Sequence, residues 1–182
     1  LDPTVNPDFG QVEVDPTVVN LTQYETFFPE RRPFFVEGSG LFGFGSFSCF
    51  TCSNVSSMSL FYSRRVGRAP QGEVNGSADY VDAPTGTTIL GAAKLTGRTA
   101  GGLQVGVLDA VTGAATAEAV SPAGATFDEE IEPLTNYFVG RVSQTLRDGN
   151  LTIGGIGTSV LRRFDSDALR ESLPSSAFAL GT

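Results

Sequence analysis

Residues 87–112, TTILGAAKLTGRTAGGLQVGVLDAVT, alternate apolar and polar positions with a period of two on either side of a small-residue break at Ala100-Gly101. That pattern predicts one antiparallel hairpin. With Ala100-Gly101 as a two-residue turn, Thr99 faces Gly102, Arg98 faces Leu103, Gly97 faces Gln104 and Thr96 faces Val105. One face then collects Ile89, Gly91, Ala93, Leu95, Gly106, Leu108 and Ala110. The other carries Lys94, Thr96, Arg98 and Asp109 beside Val105 and Val107. In this register Lys94 and Asp109 are diagonal neighbours that pair on the charged face.

A second hairpin is predicted over residues 132–163, where Asp148-Gly149 is a strong two-residue turn signal. It pairs Leu146 with Leu151, Gln144 with Ile153, Val142 with Gly155 and Phe138 with Ser159 on one face. On the other, Thr145 pairs with Thr152, Ser143 with Gly154, Arg141 with Ile156 and Val139 with Thr158. Again one face is mostly apolar and the other mostly hydroxyl, glycine and arginine. The arms run to about ten residues or more, the length a tilted strand needs to cross a bilayer, whereas strands of soluble proteins average about five or six. The tight turns fall at the same end of their hairpins, and the link over residues 113–131, rich in Ala, Gly and acid, is predicted as a long loop.

These patterns predict an all-β fold, antiparallel hairpins forming part of a transmembrane outer-membrane β-barrel. The apolar faces would meet lipid, and Lys94, Arg98, Asp109 and Arg141 would face the lumen. The alternative is a soluble β-sandwich in which the same apolar faces form the core.

Composition narrows the choice. The chain has 182 residues, enough for one domain, and a net charge of −8 that argues against a nucleic-acid partner. Nowhere does an apolar run approach the ~20 residues of a membrane helix, so only a barrel could span a bilayer. Leu1-Asp2-Pro3 does not read as a cleavable signal, no terminal strand is convincing, and residues 178–182 resemble the opening of another strand; the chain reads as an excerpt of a longer protein. Residues 1–85 form a Pro/Phe-rich segment with short strands and loops, associated with the lumen, and residues 86–182 form the barrel hairpins.

Within the N-terminal segment, prolines punctuate short β-like runs at residues 11–14 and 17–22. In FFPERRPFFVEG, Pro29 and Pro33 rule out a regular element through the middle. The prediction is a structured loop whose Phe27, Phe28, Phe34 and Phe35 anchor it to the barrel wall or bilayer interface while Glu30, Arg31 and Arg32 meet the lumen. The alternative is a loop packed on the protein's own core. Residues 39–59 read as a low-complexity external loop. LFYSRRVGRAPQG, residues 60–72, is basic and aromatic, and in so acidic a chain its arginines are expected to pair with carboxylates; as a strand it would place Tyr62 and Arg64 on one face and Phe61, Ser63 and Arg65 on the other.

Cys49 and Cys52 form a lone CxxC in a chain with no histidine, which does not make a zinc site, and no helix follows to support redox chemistry. A small loop disulfide in an oxidising compartment is expected, with two idle thiols as the alternative. Without histidine, Ser-His and Cys-His nucleophiles are excluded. Asp128, Glu129, Glu130 and Glu132, or Glu30 with Glu37, are the candidates for a carboxylate pair of the glycosidase type. The first group reads instead as a solvated face of a long loop, so the expectation is a non-enzymatic protein with no cofactor and no metal.

Five segments, NPDFGQVEVDP, FFPERRPFFVEG, LFYSRRVGRAPQG, TTILGAAKLTGRTAGG and EPLTNYFVGR, taken in order resemble a bacterial family of unknown function. Its members join an N-terminal carbohydrate-binding module, similar to family nine, to an outer-membrane β-barrel. The resemblance implies a Gram-negative envelope location and a link to polysaccharide handling, and it supplies no catalytic residues. No carbohydrate-binding module is seen in this chain, and most of the barrel is missing. The expected role is a pore, translocation or surface scaffold whose partners are the lipid bilayer, glycans, and remaining barrel strands from the full-length chain or another subunit. The alternative is a secreted β-sandwich that binds carbohydrate or mediates adhesion.

Overall fold

The structure, a computed structural model, describes residues 2–5, 27–43, 60–74 and 76–182. The runs at 11–14 and 17–22, most of the low-complexity loop, and Cys49 with Cys52 lie outside the described residues. The fold is all-β and antiparallel. In chain order the strands are β1 (Asp2–Val5), β2 (Tyr80–Asp82), β3 (Ile89–Arg98), β4 (Leu103–Thr112), β5 (Ala115–Val120), β6 (Thr126–Glu132), β7 (Leu134–Leu146), β8 (Leu151–Arg163) and β9 (Ser176–Gly181). Two short helices, α1 (Pro33–Val36) and α2 (Asp167–Ser172), complete the described elements together with three 3-10 turns.

Six strands form one sheet in the order β1-β3-β4-β7-β8-β9, and β2-β5-β6 form a second. The larger sheet is a meander in which each strand pairs with the next long strand of the chain. Its two tight turns, β3 to β4 and β7 to β8, lie at one end; the long connections β1 to β3, β4 to β7 and β8 to β9 lie at the other. Among the described residues the sheet does not close, and β1 and β9 are its edges.

The second hairpin keeps the predicted register, with Leu146 opposite Leu151, Val142 opposite Gly155 and Arg141 opposite Ile156. The first does not. Its loop holds three residues, Ala100, Gly101 and Gly102, closed by Thr99 N–H donating to Leu103 O at 2.8 Å, with Gly102 in the left-handed region at φ 86°. Arg98 therefore faces Gln104, Thr96 faces Gly106 and Lys94 faces Leu108. A one-residue change of register exchanges the faces of every side chain on one strand relative to its partner. The predicted pairing of Lys94 with Asp109 is thereby overturned. Asp109 stands on the opposite face, across from Ala93 and Phe138, and accepts hydrogen bonds from Asn136 Nδ2 at 3.1 and 3.2 Å.

Other expectations also change. The link at 113–131 is a hairpin of its own, β5 and β6, turned at residues 121–125 with Gly124 at φ 81°. Its alternating alanines are the reason: Ala115, Ala117 and Ala119 are buried, two of them with Ile131 and Val74 in a small core, and Asp128 to Glu132 belong to a strand instead of a loop. A terminal strand does exist, β1, and Pro3 is tolerated there because β1 is an edge. The predicted final strand is present as β9. Tyr62 and Arg64 flank and enter a 3-10 turn, Ser63–Arg65, so strand alternation does not apply there.

The main core lies on one face of the large sheet. There Ala92, Leu108, Ala110, Tyr137, Val139 and Ile156 pack beneath Phe35, Phe42 and Val66 of the N-terminal segment. We call this the inner face. The outer face carries large apolar side chains that nothing described covers: Leu95, Phe138, Val142, Ile153 and Leu161 are 38 to 59 % exposed.

Candidate functional site

The segment over the inner face is assembled from two pieces of chain whose sequences singled them out. Pro33 begins α1, where its fixed φ suits the first helical turn and its missing N–H costs nothing. Just before it, Glu30 is the node. Its Oε1 accepts from the backbone N–H of Arg31 and Arg32 and from Arg32 Nε, at 2.9 to 3.0 Å. Its Oε2 accepts from Arg32 Nη2 at 2.7 Å and from Ser63 Oγ at 2.6 Å. Burial works to raise the pKa of this carboxyl, but the bonds from Arg32 and Ser63 outweigh it and hold the group down to about 2. Arg32 reaches on to the carbonyls of Val66 at 2.6 Å and Ser63 at 2.9 Å, and its guanidinium lies 4.2 Å from the Phe35 ring centre. Tyr62 OH donates to Phe28 O and accepts from Phe28 N–H, while Arg64 Nε donates to Pro29 O. Thus FFPERR and FYSRRV are tied into one body across more than thirty residues of sequence.

That body meets the large sheet through two cations. Lys94, only 1 % exposed, donates from Nζ to Phe34 O at 2.6 Å and Glu37 O at 2.7 Å, capping the C-terminal end of α1, with the Phe34 ring centre 5.0 Å away. Arg141 Nη1 donates to Leu41 O at 3.0 Å and Gly40 O at 3.4 Å. Between them the Phe42 ring lies on Gly106, where an added Cβ would come within 3.1 Å of it.

Of the residues predicted to line a lumen, Lys94, Arg98 and Arg141 share the inner face, and Asp109 does not. Of the predicted anchors, Phe35 is buried in the core, Phe28 and Phe34 are half-buried, and Phe27 is 60 % exposed with its ring against Tyr62. Glu30 and Arg32 are engaged with each other inside the segment. Sequence reasoning missed Ser63, Phe42 and Gly106 as partners, because each acts through a residue distant in the chain.

Of the carboxylates considered for chemistry, Glu30, Glu130 and Glu132 hold structure. Glu132 is 1 % exposed, accepts from Gln71 N–H at 2.8 Å and lies 3.6 Å from Arg68 Nη2. Glu130 Oε2 accepts from the N–H groups of Asp165 and Ser166, just ahead of α2. A cavity of about 250 Å³ beside Phe28, Phe35, Phe42, Phe61 and Tyr62 presents chiefly ring faces, since the Glu30 carboxylate and the Tyr62 hydroxyl at its edge are already bonded. The arrangement is built to hold a segment against a sheet.

No curated protein and no solved structure matches the chain. A family model does, over residues 1–170, and the chain accordingly belongs to the family described as a domain of unknown function, DUF5916.

Proposed function

We propose that the six-stranded sheet is part of the wall of an outer-membrane β-barrel, with the N-terminal segment seated inside it, and that the protein serves as a non-enzymatic pore, translocation or surface scaffold linked to polysaccharide handling. One observation carries this reading: the outer face of the sheet is largely apolar and nothing among the described residues covers it, its polar groups Asp109, Asn136 and Ser159 lying toward the end with the long connections. Leu95, Phe138, Val142, Ile153 and Leu161 are exposed there beside the part-buried Val105 and Val107, a contiguous apolar patch of the kind that marks a membrane or partner surface.

The dimensions agree with a bilayer. Strands β3 and β4 have 10 residues, β7 and β8 have 13. Along β7 the polar outer positions Asn136 and Gln144, about 26 Å apart at the usual rise per residue, flank Phe138, Gly140 and Val142. At a strand tilt of roughly 40° that is about 20 Å of membrane, close to the ~25 Å band of barrels. Short turns at one end and long connections at the other have the asymmetry of outer-membrane barrels, and the two free edges are where further strands would pair. No helix among the described residues is long and apolar enough to cross a membrane.

A second reading, a secreted β-sandwich that binds carbohydrate or mediates adhesion, is favoured by Leu108, which at 1 % exposure sits in a packed interior. It needs another sheet to cover the outer face. Detergent separates the two. The full-length protein should require it, aggregating on withdrawal and floating with lipid vesicles on reconstitution; a protein that stays monomeric and does not float is the sandwich.

A further inference from the structure

Building on the barrel reading, we infer that the inner wall is a cationic track for anionic solutes and that the N-terminal segment is its removable closure. The register places Arg98, Arg141, Lys94 and Arg162 on the inner face at successive heights: beside Gln104, Gly106, Leu108 and Thr135 respectively. Same-face rows are about 7 Å apart along a strand, so the four cations mark most of the wall's depth. Asp2, on the edge strand across from Lys94, is the one carboxylate at an inner-face position of this sheet's six strands. This is a marked bias in a chain with 20 acidic residues and 12 basic ones.

What meets these cations now is neutral oxygen. Lys94 and Arg141 donate to four backbone carbonyls of the segment, which occupy the positions an anion's oxygens would take. A carbonyl compensates a buried cation less well than a charged acceptor does. Arg141 Nε and Arg162 Nε are buried and find no acceptor among the described residues. The wall therefore keeps unused capacity for anionic oxygen, and the segment, bound internally through Glu30, moves as one body only when its polar contacts with Lys94 and Arg141 and the apolar packing of Phe35, Phe42 and Val66 on the inner face are broken together.

The experiment is single-channel recording of the full-length protein in planar bilayers under a potassium chloride gradient, with vesicle flotation run in parallel. Phe42→Asp removes the ring from Gly106 and places a charge in that contact; Gly106→Val displaces the same ring from the other side. Either should raise conductance at least about tenfold over the wild type and pass chloride over potassium by about threefold or more. Adding Arg98→Glu, at an exposed wall position, should move the reversal potential toward potassium. Preference for potassium in the opened channel would assign control to the carboxylates of β5, β6 and α2 beyond the sheet and overturn the anion track, as would a reversal potential indifferent to Arg98→Glu. Wild-type protein that floats while both opening variants fail to float, or float without added conductance, would overturn the removable closure. Wild-type protein that does not float at all sinks the barrel reading itself, and the inference with it.

Discussion

At the scale of the residue, Glu30 is a side chain whose chemistry the fold alters strongly. Its pKa falls from 4.5 to about 2, so its contribution to stability is complete above the unfolded value of 4.5 and is lost as pH drops through about 2. Wild-type protein should therefore lose stability across that window. Glu30→Gln should be less stable at neutral pH and should lack this part of the acid limb. Denaturation midpoints measured from pH 6 to pH 2.5 check it, and parallel profiles for the two proteins would remove Glu30 as the node of the segment. Lys94 shows the same principle with the opposite charge: a cation 1 % exposed is tolerated because two carbonyls at the end of α1 receive it.

At the scale of the element, the β3–β4 loop decides which side chains share a face. Gly102 makes the three-residue loop possible, for its φ of 86° suits glycine, and a Cβ there would stand 2.7 Å from Thr145 O. Gly102→Val should cost about 1–3 kcal/mol through backbone strain and this clash. Gly101→Ala, whose added Cβ would find only Thr99 Oγ1 at 3.9 Å, should be nearly neutral. Chemical denaturation of the two variants side by side tests the assignment; equal effects would mean that the loop is not built as described. The β7–β8 hairpin was legible because Leu146 faces Leu151 whether Asp148-Gly149 is a tight turn or, as found, part of a 3-10 turn. Ala100-Gly101-Gly102 offers two loops of different length, and sequence alone does not choose between them.

At the scale of the molecule, the medium that covers the outer face is the decisive question. Val142→Arg and Leu95→Arg place a charge inside the apolar band, Leu95 being level with Val107 and Gly140. Facing lipid, each should cost about 2–4 kcal/mol; facing water, each should stay within about 0.5 kcal/mol. Thr116→Arg, on the exposed side of β5, should be neutral in either medium. Unfolding of the full-length protein in lipid or detergent measures all three, and neutral values at Val142 and Leu95 would leave the outer face without its proposed neighbour. The charge distribution belongs to this scale too. Acidic side chains of β5, β6 and α2 gather at the end with the long connections, while cations line the inner face, a separation that net charge conceals.

The sequence by itself determined what a period-two pattern can encode: an all-β antiparallel chain, the long arms of two hairpins, and the register and apolar face of the second. Those properties are local, since alternation acts between residues two apart and a turn acts across four. The tertiary structure alone decided which face Lys94 and Asp109 occupy, because a single left-handed glycine sets that register. It also decided that residues 113–131 form a hairpin and that Glu30 meets Ser63, Lys94 meets Phe34 and Arg141 meets Leu41. Those contacts join residues 33, 60 and 100 positions apart, and no periodicity reaches that far.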